Sequence, residues 1–379
     1  MRKWMEVTIR AVVLLALGGL AWAADVTVNC DGGQTITEAL AGLDKDEYHV
    51  ISISGTCREY VKVEGFKLTL VNWLQNGEIV SPTSPPPDQE DYYSPVLGIT
   101  SSQVTVWGVR VAGLGQSTPG PRSVVAVGNR SEVHFWACTI EDGVGTGLSV
   151  GGDSSVVLAQ STVQNNGGSG ITVEQAGLQI GEWWEWVPGR ETTIRGNLGS
   201  GVEIGAGAVA WAWHPSEPSI TENQRDGFSV IMGGTLTLCC GNPDNKAVRV
   251  ARNGALGLSV YGGATAAIWG GTRIEANRAG GIGAHFNAHL SAGGDNILVG
   301  NNLGPGIQAD HNSSLGLWGV KVTGNTGPGI IVSTVSTVDF GPGNLVNGNG
   351  AEDLRCSPSS VASGGKTGLG KIKCPGFED

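Results

Sequence analysis

Glu185, His214 and Glu217 are the residues whose types best suit chemistry: two carboxylates and an imidazole can supply a general acid and base for glycoside cleavage or elimination. They sit in the first two of three segments, GEWWEWVPGRE, WHPSEP and CCGNPDNK, which together also hold Arg190, Glu191, Asp244 and Lys246. Trp183, Trp184 and Trp186 accompany them, and Trp211 and Trp213 precede the second segment. Flat aromatic faces stack on the apolar faces of sugar rings. Glu203 is a further carboxylate candidate, because it is the one charged residue in a series of otherwise small or uncharged positions: Ser149, Thr172, Glu203, Ser229, Ser259, Gly283, Gln308 and Ile331.

What must position these residues is a repeat. Seven segments share the pattern apolar, two variable residues, Asn, three variable residues, Gly, apolar: VQNNGGSGITV, IRGNLGSGVEI, ITENQRDGFSV, VARNGALGLSV, IEANRAGGIGA, VGNNLGPGIQA and VTGNTGPGIIV. Their glycines, with Gly147 as a looser first member, are Gly170, Gly201, Gly227, Gly257, Gly281, Gly306 and Gly329, spaced by 23 to 31 residues. That period suits the coils of a three-sheeted solenoid. Within a coil, apolar and polar residues alternate in three short runs, which means strands with one face inside. Stacked coils put equivalent positions in ladders, so Asn166, Asn197, Asn223, Asn253, Asn277, Asn302 and Asn325 are expected to form an asparagine ladder at a turn.

Coils longer than the minimum must loop out, and the three segments above all fall between the second and third strand runs of consecutive coils. They are expected to share one edge of the rod, near its middle, and to enclose a cleft. Among the chain's 12 tryptophans, Trp107, Trp136, Trp269 and Trp318 occupy equivalent sites at the end of the second run. These rings either plug the corner beside the core or form a stripe for an extended polymer. Arg195, Arg249, Arg273 and Lys321 are outward positions of the third run, with Glu275 interposed. A bound uronate or sulfated sugar would explain such a basic stripe, and so would a solvated face balanced by Glu275.

The ends need protection from edge pairing. Ile36, Ala39, Leu40 and Leu43 recur at helical spacing and predict a short capping helix over the open core. Residues 1–23 read as a signal peptide, with Arg2, Lys3 and Arg10 before the apolar run Ala11 to Leu20 and a small-x-small site at Ala21-Trp22-Ala23. Its removal leaves 20 basic against 33 acidic residues, a balance that repels nucleic acid. That apolar run is about half the length needed to span a bilayer, and no other long apolar segment follows. In an exported chain, Cys30 with Cys57 and Cys356 with Cys374 are expected to form disulfides that staple the two ends. Cys138, Cys239 and Cys240 are read as mostly buried thiols rather than metal ligands.

Residues from about 25 to 375 resemble the pectin-lyase-like superfamily of right-handed β-helices, in particular its bacterial parallel β-helix repeat proteins. The repeats carry that resemblance, together with the opening VTVNCDGGQTITEALAGL and VISISGTCREYVKV, which is similar to the helix-capped first coil of such proteins. The superfamily includes lyases, hydrolases, esterases and epimerases, so fold does not settle function. The Asn-Thr-Asp and Asp-Asp pieces of polygalacturonases are missing, as is the aspartate cluster that holds calcium in pectate lyases. Thr337-Val338-Asp339-Phe340 resembles a fragment of pectin methylesterases without its other pieces.

The expected architecture is therefore all-β: a single-stranded right-handed parallel β-helix of about ten coils. Its parts are a signal peptide (1–23), an N-terminal cap and first coil (24–80), a Pro-rich loop (81–95), coils (96–350) and a C-terminal cap (351–379). The expected function is to bind or process an extended polysaccharide along a Trp-lined edge, outside the cell or in the periplasm. No cofactor is called for, and calcium, though chemically compatible with such a fold, has no ligand cluster in the sequence to support it. The alternative is a non-catalytic surface or envelope rod serving adhesion or assembly.

Overall fold

A computed structural model describes residues 25–73, 76–83, 95–115, 123–181, 191–213, 218–239 and 248–377. Three short strands make each coil, as in Ile171–Val173, Gly177–Ile180 and Thr193–Arg195. Each strand pairs in parallel with the equivalent strands one coil away. The first strands stack into a 13-stranded face. Second and third faces merge into one 23-stranded sheet, because long strands such as His289–Gly300 and Ser314–Thr323 run through the corner between them. The solenoid has about 12 turns, more than the ten expected, since the segment read as the C-terminal cap coils as well: Leu354–Cys356 and Ile372–Lys373 join the first face.

Alternation along each strand puts one row of side chains inside. Leu148, Ile171, Val202, Phe228, Leu258 and Ile282 stack coil upon coil and are fully buried or nearly so. Each such side chain contributes about 1.5–3 kcal/mol relative to exposure, and the stack repeats that gain along the rod.

The asparagine ladder is present. Asn166 Nδ2 donates to Asn197 Oδ1 at 2.9 Å, and the pattern repeats through Asn223, Asn253, Asn277, Asn302, Asn325 and Asn349 at 2.9–3.1 Å. Each backbone N–H in the series also donates to the next Oδ1, as from Asn223 to Asn253 at 3.1 Å. Asp353 ends the run by accepting from Asn349 Nδ2 at 2.9 Å. The spacing of Asn to Gly in the repeat follows from this packing. A Cβ at Gly201 would lie 2.8 Å from Asn223 Nδ2 and 2.6 Å from the Gly227 carbonyl oxygen, leaving no room for a side chain.

A helix, Ile36–Ala41, covers the N-terminal end with Ile36 and Leu40 buried. Thr35 caps its first turn, and Glu59 accepts from the Ile36 and Thr37 amides at 2.7 and 3.0 Å. Disulfides join Cys30 to Cys57 and Cys356 to Cys374. Cys138 is a buried thiol whose pKa desolvation pushes up to about 12. Cys239 departs from expectation: it is disulfide-bonded rather than a free thiol. It stands at the outer end of a second-face strand, where its side chain leaves the core instead of joining it.

Candidate functional site

The three inserted segments leave second-face strands ending at Ile180, Trp213 and Cys239 and return to third-face strands beginning at Thr193, Ser219 and Arg249. These strands are successive neighbours, so the segments enter at one corner of three consecutive coils. Trp183, Trp184, Glu185, Trp186, His214 and Glu217 themselves lie outside the described residues.

The tryptophans flanking that corner are described, and they point outward. Trp107 pairs directly with Trp136, and Trp269 and Trp318 face each other across Gly293 in the same column. None is buried: Trp107, Trp136, Trp213 and Trp318 are half-buried, while Trp269 and Trp211 are each 38% exposed. Trp107 and Trp136 stack with centroids 5.6 Å apart and planes 24° apart, and Trp73 continues the row at 5.9 Å. That separation exceeds the thickness of a ring, so the indoles are offset and part of each face stays open. At the far end Trp318 folds over Gly293, whose absent side chain makes the room, and meets Trp269 edge-on at 5.6 Å.

Beside the first indole stack is a hollow of about 430 Å³ on the same face, lined by Tyr48, Lys67, Gln103, Thr105, Glu132 and His134 among others. Thr105 and His134 stand two residues before Trp107 and Trp136 on the same strands. The His134 Nε2 to Glu132 Oε1 distance is 3.8 Å, and Gln103 Nε2 donates to Glu132 at 3.5 Å. Hydroxyl, amide, ammonium, carboxylate and imidazole groups thus line a hollow that lies along the same strands as the indole stack.

On the third face the arginines occupy two columns. Arg249 and Arg273 are direct neighbours, and Arg195 lies in the adjacent column with Gln164 and Glu141. Glu275 lies between the first two, 3.2 Å from Arg249 Nε and 3.3 Å from an Arg273 terminal nitrogen. Arg195 Nε donates to Gln164, Gln164 donates to Glu141, and Glu141 accepts from Arg110. Protein carboxylates and amides therefore already offset much of this stripe.

The outward row of the first face runs as expected from Ser149 to Ile331. Glu203 accepts from Ser169 Oγ at 3.2 Å. Asp226 lies nearby; burial raises its pKa, against the Leu256 amide that it accepts. Further along the face, Asp310 gathers three donors: His285 Nδ1 at 2.9 Å, His311 Nδ1 at 2.7 Å and Gln308 Nε2 at 3.0 Å. Burial works to raise its pKa, but the His311 and His285 hydrogen bonds outweigh it and hold the carboxyl below its ordinary range.

Two solved structures share the architecture. A variant of the periplasmic alginate epimerase AlgG is 13% identical, with 89% of this chain and 82% of that one covered and a TM-score of 0.53. The A-module of the Azotobacter vinelandii mannuronan C-5 epimerase AlgE4 is 11% identical, with 90% and 91% covered and a TM-score of 0.53. The shared fold is a right-handed parallel β-helix. At these identities the likeness is one of fold. No protein-family model matches the chain, and no curated protein matches it by sequence.

In this β-helix the one group of clustered metal-ligating types among the described residues is Cys30, Cys57 and Glu59. The cysteines are disulfide-bonded and Glu59 caps the helix, so the donors are already engaged. Among the described residues no helix is long and apolar enough to cross a membrane. The second-face hollow and the Asp310 cluster are the parts of the β-helix surface that sequence reasoning missed. Their residues belong to no repeated type, and only the register of the coils brings them together.

Proposed function

We propose that the protein is an exported β-helix that binds an extended polysaccharide along the Trp-lined edge between its second and third faces. The observation that carries this reading is the outward, partly open stack of Trp107 on Trp136 beside the polar hollow. Rings placed as core plugs would be buried, and these are not. Because the column runs along the rod, it suits a polymer laid across several coils rather than a single sugar. Two similar folds are named as epimerases of alginate and of mannuronan, and both of those substrates are polysaccharides. Export is supported by the signal-like residues 1–23 and by the disulfides that staple the two ends.

In this reading Trp183, Trp184 and Trp186 extend the edge at its middle, and Glu185, His214 and Glu217 supply an acid and a base if the bound chain is also processed. The test is a glycan-array screen of the mature protein. Retention of chains of several sugars, with little retention of the matching monosaccharides, is the expected result. A protein that retains no glycan contradicts the proposal.

A further inference from the structure

Ser259, Gly283 and Gln308 are consecutive members of the outward row of the first face, and His285 and Asp310 pair with each other at the ends of the last two strands. Asp310 is 9% exposed, and both of its carboxylate oxygens accept hydrogen bonds. An ionised carboxylate can only accept, so Nδ1 of His285 carries the proton and Nε2 keeps its lone pair. That nitrogen folds back over Gly283: a Cβ there would lie 2.3 Å from Nε2. Gly283 is paired with Ser259, one coil away, whose side chain leaves the same face. Paired strands lie about 4.8 Å apart, so Ser259 is the next member of the row beside the glycine that Nε2 covers, with Leu256 Cδ1 packed against the same spot. Apo nucleophile–base contacts are commonly looser than those in the reacting complex.

An aromatic ridge borders the same place. Tyr261 and Phe286 have centroids 4.8 Å apart, and Phe286 stacks on His311 at 4.2 Å. Tyr261 is 45% exposed and Phe286 41%.

We propose that Ser259, His285 and Asp310, on three successive coils, form a nucleophile–base–carboxylate triad that hydrolyses an ester borne by a sugar resting on Tyr261 and Phe286. The sugar in this statement rests on the polysaccharide reading; the triad does not. Ser259 Oγ attacks the ester carbonyl carbon and its proton passes to His285 Nε2, the resulting imidazolium facing Asp310. The tetrahedral adduct expels the alcohol oxygen, which takes that proton, leaving an acyl-serine. Water then attacks the acyl carbon with His285 again receiving the proton, and collapse of the second adduct returns the proton to Ser259 and releases the carboxylic acid.

The experiment is covalent labelling of the full mature chain with an alkyl fluorophosphonate, followed by peptide mapping, a readout that needs no sugar. The expected adduct is on Ser259; Ser259→Ala loses it, and His285→Gln slows its formation by about 100-fold or more in protein that circular dichroism shows to be folded. Asp310→Asn and Gly283→Ala, which disturb the orientation of His285 without touching Ser259, also slow it. A wild-type protein left unlabelled at Ser259, or labelled at the same rate when His285 is replaced by Gln and by Ala, overturns the triad. Glycan retention on the Trp edge is measured separately, so either reading can fail while the other stands.

Discussion

Trp107 and Trp136 lie one above the other on the outside of successive coils, their centroids 5.6 Å apart, while the residue before Trp136, Phe135, is fully buried inside. The two neighbours share a strand and differ only in the side they take. Phe135→Ala is expected to cost about 3–5 kcal/mol, as large-to-small core changes do. Trp136→Ala should cost about 1 kcal/mol, the scale of one aromatic pair at a surface. Denaturant melts of both variants check the contrast; equal costs would mean that Trp136 is a packing residue.

The asparagine ladder makes a second prediction. Asn253→Ala removes the acceptor of both the Asn223 backbone N–H and Asn223 Nδ2, at a site with no solvent exposure. Two buried donors losing a partner should cost about 2–5 kcal/mol in total. Exposed Gln224, one residue after Asn223, should tolerate Ala within about 0.5 kcal/mol. Thermal melts of the two variants compare them directly.

Much of this rod could be read from the chain, and the reason is geometric. Asn and Gly recur together because the side chain of one occupies the space the other leaves empty, as Asn223 does above Gly201, so repetition exposes both. The tryptophans at the second corner could be matched by position, but a residue at the end of a strand can turn either way, and only the coordinates show that Trp107 and Trp269 turn outward. The Asp310 cluster had no such signal. His285 and Asp310 are far apart in the chain and each appears once in its row, and a histidine becomes a base only when register sets a carboxylate opposite it. The acid and base of the middle segments, Glu185, His214 and Glu217, lie outside the described residues.

Cys138 should be chemically silent in the folded protein. Desolvation pushes its pKa to about 12, and the thiol is completely enclosed, so little thiolate exists at neutral pH. Iodoacetamide is expected to leave it unmodified in native protein and to alkylate it on unfolding. Rapid native modification would contradict the packing around it.

Asp310 makes acid sensitivity specific. Its folded pKa lies below the ordinary value of 3.8, so its contribution to stability is fully present above that value and is lost as pH falls through the folded one. Wild-type protein should therefore be more stable than Asp310→Asn at about pH 5, and the difference should shrink toward about pH 2. Paired urea melts across that range give the test, and a difference that grows on acidification would reverse the assigned sign.

The central claim is that the Trp-lined edge holds a polysaccharide chain. Its most direct test is calorimetric titration of a glycan retained on the array into wild-type protein, Trp107→Ala/Trp136→Ala and Trp269→Ala/Trp318→Ala. Each lost aromatic platform is expected to weaken binding by about 0.5–1.5 kcal/mol, so each double variant should bind roughly 5- to 150-fold more weakly while its melt moves little. Unchanged affinity in both double variants, with the fold intact, would contradict the account.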